Sequence, residues 1–257
     1  MQHYGTIVVV GGGCYGSYYV QQLAKARLAG AMEFSRLLVV DRDPDCRVAH
    51  ALRTPEGALR ELAAVTTVVT RDWTGFFGEY LACAAETVDG TADAIVPSPL
   101  MPHLMYEWLL TRARARWPDR PVRTNALGRE SAIPWQRRAP DLTEYVSFAE
   151  WMCPINCIEP AMCPAIHGPR SWSLPPAVRA YVAAERARGR NLAGPVIVHC
   201  THRAFGVGMF DTRDVVAGDR LIAEAGERTP VEVLIGTMSH CHGALNVLAI
   251  DAGRSAP

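Results

Sequence analysis

Lysine is almost missing from this chain: Lys25 stands alone among 26 Lys and Arg residues. Chemistry that requires a lysine, such as a Schiff base or a P-loop, would have only this residue, which falls inside an expected helix. No apolar run approaches the ~20 residues a membrane helix needs, so no membrane partner is expected. An excess of either charge is missing too. The 26 basic and 26 acidic residues leave a formal net charge of zero, without the basic footprint of a nucleic-acid binder. The first strand signal starts near Thr6 and leaves no space for a targeting peptide, so the expected location is cytoplasmic. Paired carboxylates and a nucleophile elbow are absent, as are internal repeats.

What remains is the composition of a globular chain of 257 residues, 49% hydrophobic and 20% charged, enough for a large domain or a domain with an appendage. Thr6–Val10 and Leu37–Val40 read as buried parallel strands, being short, apolar and β-branched. Further strands are expected at Thr66–Thr70, Ala94–Val96, Val122–Asn125, Pro195–Cys200 and Val231–Ile235. Helices are expected at Tyr15–Leu28, over an aromatic segment containing Trp73, Phe76, Phe77, Tyr80 and Leu81, over His103–Arg116 and over Ala177–Arg190, with 128–142 irregular. Alternating strands and helices predict an α/β fold with a doubly wound parallel sheet. The domains expected are 1–126, which binds a nucleotide, and 127–257, a Cys/His-containing region that completes the sheet. The C-terminal Gly253–Pro257 is expected to fray.

Gly11-x-Gly13-x-x-Gly16 stands between the first strand and a helix, and Asp41 ends the second strand. In that context the glycine spacing resembles the NAD(P)-binding Rossmann superfamily over roughly residues 5–100. The resemblance implies a tight turn at Gly11, close approach of a pyrophosphate at Gly13, and close helix packing at Gly16. It also implies phosphate binding at the helix N-terminus and ribose hydroxyls on Asp41. A carboxylate there favours NAD over NADP, although Arg42 stands beside it. One departure is that Asp41 lies 25 residues beyond Gly16, against about 20 in that family. S-adenosylmethionine and ATP, the latter as in ubiquitin-activating-type adenylating enzymes, remain open; the lack of lysine beyond Lys25 argues against ATP.

The second signal is Cys153-Pro-Ile-Asn-Cys157-Ile-Glu-Pro-Ala-Met-Cys163-Pro164. A regular helix or central strand does not tolerate prolines at this density, whereas a stiff loop loses less entropy on closing around a metal. Cys153, Cys157 and Cys163 with Cys200 as fourth ligand would suit an iron–sulfur cluster, which is favoured; Cys241 and His167 are the other candidates for fourth ligand. Zinc is the alternative, in a Cys3His site with His167. Cys14, Cys46 and Cys83 are scattered, and disulfides are not expected. His199-Cys-Thr-His202 and His240-Cys-His242 each end a strand, where α/β sheets place ligands. If extended, Cys200 and His202 would share one face and His240 and His242 another. His103 is a weaker acid–base candidate at the fourth strand's end, better read as a helix residue. Arg170 and Trp172 could meet an anion.

The leading expectation is an NAD-linked oxidoreductase or electron-transfer protein coupling a nucleotide site to an iron–sulfur centre. Hydride and one-electron centres need a two-electron mediator, hence a redox partner subunit; a homo-oligomer also stays open. The alternatives are a non-catalytic nucleotide-sensing or metal-handling accessory protein with structural zinc, and an ATP-dependent adenylating enzyme.

Overall fold

The computed structural model describes residues 2–87, 92–151, 153–154, 157–227 and 230–253; apart from Gly253, the tail expected to fray lies outside them. The fold is mixed α/β, with parallel and antiparallel strand pairs. The chain forms two compact units, one from residues 1–101 and 200–216, the other from 102–199 and 217–257.

In the first unit, β1 (Gln2–Val10), α1 (Cys14–Leu28), β2 (Met32–Asp41), α2 (Arg47–Arg53), α3 (Leu59–Ala63), β3 (Thr66–Thr70), α4 (Trp73–Glu86) and β4 (Ala94–Val96) follow in order. These four strands are parallel in the order β3-β2-β1-β4. The runs read as strands owe their burial to this arrangement. Ile7, Val8 and Val9 lie in the central β1, flanked on both sides, and are fully buried. Ile7, Val9, Leu23, Leu37 and Val39 belong to one core cluster on the α1 side.

The second unit begins with α5 (Leu104–Arg116), β5 (Val122–Asn125), β6 (Trp135–Arg138) and β7 (Glu144–Ser147). A two-stranded hairpin, β8 (Met162–Cys163) with β9 (Gly168–Pro169), lies within the cysteine loop. Then come α6 (Leu174–Ala187) and β10 (Leu192–His199). Next, β11 (Thr201–Ala204) and β12 (Val207–Asp211) join the first unit's sheet as an antiparallel edge, β12 pairing with β4. The C-terminal region thus completes the first sheet only through this hairpin. α7 (Thr212–Gly226) leads to β13 (Val231–Met238) and β14 (His242–Ile250).

The second unit's own sheet has the order β10-β13-β14-β7-β6, with β5 also on β14. Only β10 and β13 are parallel; the other pairs are antiparallel. β14 is its central strand, buried from Ala244 to Ile250. β13 lies along one edge of β14, and β5 and β7 follow one another along the other. α6 begins at Leu174 rather than Ala177, because Pro175 and Pro176 fall in its first turn, where a missing N–H removes no helical bond. Leu174, Val178, Tyr181 and Val182 pack with Leu192, Leu234, Leu245 and Val247 in this unit's core.

Candidate functional site

The glycine turn of the first unit is built by backbone constraints. Gly11 has φ +90°, a conformation that disfavours a side chain, and its N–H donates to Val40 O at 2.9 Å. A Cβ on Gly16 would lie 1.8 Å from Gly11 O, so only glycine lets α1 pack this closely. Gly13 differs: a Cβ there meets nothing within 4 Å. Gly13 is the N-cap of α1, which has no side-chain cap and no acidic residue in its first turn. The helix's own first turn thus supplies no carboxylate to its leading N–H groups and positive dipole end.

Asp41 fixes the turn from the end of β2. Its Oδ2 accepts the Gly12 N–H at 2.7 Å and its Oδ1 the Asp43 N–H at 2.9 Å. Trp73, at the start of α4, donates its indole N–H to Val40 O at 2.9 Å. A cavity of about 420 Å³ opens beside these groups, lined by Asp41, Arg42, Asp72, Trp73, Thr74 and Met101. It lies at the carboxyl ends of β2 and β3, the edge where parallel sheets receive ligands.

The second unit brings the cysteine loop onto the turn that joins β13 to β14. Ser239 N–H donates to His242 O at 2.8 Å, and Ser239 Oγ accepts the amides of Cys241 and His242 at 3.3 and 3.2 Å. Glu159, with φ +49°, clasps this turn. Its carboxylate accepts from Ser239 Oγ at 2.6 Å, His240 N at 2.8 Å and Cys241 N at 3.1 Å. The amide of the same residue donates to Cys157 Sγ at 3.4 Å. Burial, and then the neighbouring Cys157 thiol, push the Cys153 thiol up to about 11, with Cys163 adding to the effect.

Two serines hold two histidine rings. Ser147 Oγ lies 3.0 Å from His242 Nδ1 and donates its single proton to Ala149 O at 2.7 Å. Ser147 must therefore accept an N–H from His242 Nδ1. Burial pushes the His242 imidazole down against the pull of Glu159, and the neutral ring then carries its lone pair on Nε2. Ser173 Oγ bonds His240 Nδ1 at 2.8 Å. His199, the last residue of β10, pairs with Met238 across the parallel ladder. Its ring centre lies 4.8 Å from that of His240, at 84°. Cys241 is buried, and its thiol is pushed up to about 12 by that burial and by Glu159, against the Trp172 indole, which donates to its Sγ at 3.3 Å.

Cys153, Cys157 and Cys163 belong to the second unit, and Cys200 begins the segment that returns to the first. Cys163 is buried in the β8–β9 hairpin, whereas His167 is exposed there with φ +49°. None of the eight cysteines is in a disulfide. Among the described residues, no group of three or more His, Cys, Asp and Glu side chains is arranged to hold a metal ion. Cys200 and His202 do face the same way, since a Cβ on Gly208 would lie 3.0 Å from Cys200 Sγ and 3.5 Å from His202 Cε1, whereas residues 239–241 turn and the extended arrangement expected of His240 and His242 does not form. His202 bonds Gly206 O through Nδ1 at 3.0 Å. His103 is the N-cap of α5 and pairs with Glu107 at 3.4 Å. Arg170 is spent on the loop itself, donating to Trp172 O at 2.9 Å, and Trp172 stacks on Phe148. Sequence reading missed Glu159, Ser173, Ser147 and Trp73. Only Glu159 had a signal, a lone charge between Cys157 and Pro160.

No curated protein and no solved structure matches the chain. Residues 105–251 match the model of the family AF_1314_C, described as "Uncharacterized protein, C-terminal domain". That match covers more than half of the chain, which therefore belongs to the AF_1314_C family.

Proposed function

We propose that the first unit is a Rossmann-like domain that binds NAD, and that the chain is an NAD-linked oxidoreductase or electron-transfer protein with a cysteine-held iron–sulfur centre in its second unit. The carrying observation is the contrast between two glycines of one turn: Gly16 has no room for a Cβ, while Gly13 opens on free space. Helix packing explains the first glycine, and close approach of a phosphate explains the second. The parallel order β3-β2-β1-β4 supports the same reading, being that of the first half of a dinucleotide-binding sheet. Asp41 spends one lone pair of each oxygen on the turn, and a carboxylate has further acceptor sites for ribose hydroxyls. The same charge disfavours a 2′-phosphate. The cavity beside Trp73 has the size of a small-ligand site.

Bound NAD would supply hydride chemistry; the residues named here bind it and orient it. For the metal, the donor types fit, although the three thiols do not converge as they stand: they share one loop, and a backbone N–H aims at Cys157 Sγ. Cys153, Cys157 and Cys163 would hold the cluster.

The nucleotide reading is tested by titrating the full chain with NADH and with NADPH while following tryptophan fluorescence. Saturable quenching that favours NADH and is lost in Trp73→Phe supports the reading. Equal affinity for both removes the assigned role of Asp41, and no binding of either removes the proposal. Metal and acid-labile sulfide analysis of protein purified without oxygen tests the second part. Iron and sulfide lost together in Cys157→Ser support a cluster. Zinc without sulfide transfers the argument to the accessory-protein reading.

A further inference from the structure

A cavity of about 510 Å³ opens at the amino edge of the first unit's parallel strands, the edge opposite the glycine turn. Its walls are the first residues of β1, Asp93 ahead of β4, Thr201 and Arg203 of β11, Asp211 at the end of β12 and Arg213 in the first turn of α7. All of them belong to the first unit. The antiparallel pairing of β12 with β4 sets Asp211 opposite Ala94, which brings the hairpin to this edge. The geometry points to a second ligand site here, one that takes a small oxyanion, a carboxylate or a phosphate, on the paired guanidiniums of Arg203 and Arg213.

Arg203 is fixed before any ligand arrives. Its Nε donates to Thr201 Oγ1 at 3.2 Å, and its Nη1 donates to the Tyr4 hydroxyl at 3.0 Å and to Asp211 Oδ1 at 2.5 Å. The guanidinium carbon also lies 5.7 Å from the centre of the Tyr4 ring. These partners lock the plane of the fork, so little side-chain freedom remains to be lost on binding. The side chain is only 15% exposed, and a charge shielded from water attracts an anion more strongly than one at the open surface. Among the described residues Nη2 has no hydrogen-bond partner, and it is not closed off from solvent. A purely structural role accounts for Nε and Nη1 but leaves Nη2 without one.

Arg213 stands beside it. Its side chain is exposed, and its Nη2 donates to Asp211 Oδ2 at 3.1 Å. One carboxylate therefore holds two guanidiniums, one on each oxygen, and the trio keeps a net positive charge.

The choice of an anion follows from which groups are already spent. By formal charge the lining balances, two arginines against Asp93 and Asp211. Both carboxylates, however, are engaged. Asp211 serves the two arginines, and the buried Asp93 accepts the Thr6 N–H at 2.7 Å and the Tyr80 hydroxyl at 2.8 Å. What remains is donors: Nη2 of Arg203, the other N–H groups of Arg213 and the hydroxyl proton of Thr201, whose oxygen accepts from Arg203. Guanidinium N–H groups match the oxygens of carboxylates and phosphates in pairs. The volume is that of a site for a small molecule.

The test is a titration of the uniformly ¹⁵N-labelled full chain with inorganic phosphate and, separately, with succinate, at constant ionic strength. The expected result is saturation by at least one of them, with the side-chain ¹⁵N signals of Arg203 and Arg213 moving together. Tighter binding of phosphate assigns the site to a phosphorylated ligand, and tighter binding of succinate to a carboxylate. Arg203→Lys keeps the charge but loses the fork, and should weaken binding about tenfold, the worth of one charge-assisted hydrogen bond. Arg213→Gln changes an exposed side chain, leaves the bonds of Arg203 in place and should weaken binding about fivefold or more. It carries the test alone if Arg203→Lys does not fold. No saturation by either anion, or affinity unchanged in Arg213→Gln, would overturn the site. So would shifts confined to the backbone amides of Cys14–Gly16, which would put the anion at the glycine turn.

Discussion

The Glu159 carboxylate accepts the backbone N–H of His240 at 2.8 Å, while the Glu159 amide donates to Cys157 Sγ at 3.4 Å. One residue, in a left-handed conformation, therefore ties the cysteine loop to the histidine turn. Hydrogen bonds to a charged acceptor are the stronger kind. Glu159→Ala should cost about 2–3 kcal/mol in a urea unfolding experiment, allowing for the half-exposed position. Glu159→Gly loses the same acceptor but relieves the backbone, and should recover about 1 kcal/mol of that loss. Equal losses for the two would show that the φ of Glu159 carries no strain.

The glycine turn separates folding from binding. Gly16→Ala drives a Cβ against the Gly11 carbonyl, and backbone cannot move aside as a side chain would. A loss of about 2–3 kcal/mol in unfolding free energy is expected, the upper part of the overpacking range. Gly13→Ala meets nothing within 4 Å, and the φ of Gly13 is negative, −77°. Its stability should stay within about 0.5 kcal/mol of wild type, while NADH affinity falls tenfold or more. An unstable Gly13→Ala, or one that binds normally, would remove the reason for reading Gly13 as the ligand-facing glycine.

The readable parts of this fold were those whose signal is local. The β-branched runs at 6–10, 37–40 and 66–70 fall within parallel strands, and Asp41 stands at the end of β2, beside the glycine turn that follows β1. The β11–β12 hairpin carried no such signal. It pairs with β4 from more than a hundred residues away, and its tight turn uses Phe205 and Gly206 at φ +48° and +78°. Phenylalanine does not announce such a turn. Prolines misled in the other direction, since Pro175 and Pro176 read as loop but start α6. In the site, the meeting of His199 and His240 was within reach, because both follow strands that pair in parallel. The faces of the histidines were not, since they depend on the Ser239 turn and on Glu159 closing over it.

Acid stability supplies a separate test in the second unit. Burial alone would raise the Glu232 carboxyl, but the Arg190 guanidinium at 2.6 Å and the Asn125 amide at 2.7 Å outweigh it and hold it below its usual range. A carboxyl depressed in the folded state adds stability that is present above the unfolded value, ~4.3 for Glu. That stability is lost as pH falls through the lower folded value. Glu232→Gln should therefore lower stability at pH 7, with the difference from wild type shrinking as pH drops below about 4. A gap between variant and wild type that stays constant down to pH 2 would mean that Glu232 acts by packing rather than by charge.

Ser173 permits the sharpest separation of a capping role from a positioning one. Replacing an N-cap serine by alanine ordinarily costs ~1 kcal/mol, because a helix amide loses its acceptor. At α6 the second and third residues are Pro175 and Pro176, which have no N–H to lose, and the hydroxyl is bonded to His240 Nδ1. Ser173→Ala should then leave α6 helical, as followed by amide exchange across Val178–Val182, while the His240 imidazole ¹⁵N shifts move toward those of a ring averaging between tautomers. Pro176→Ala makes the converse change by restoring an amide at the third helical position. The hydroxyl then has two partners to choose between, and capping should stabilise the helix by up to ~1 kcal/mol while the His240 ring loosens. If Ser173→Ala instead frays α6 and leaves the His240 ring unchanged, the serine belongs to the helix, and the histidine owes its orientation to Glu159 and the turn alone.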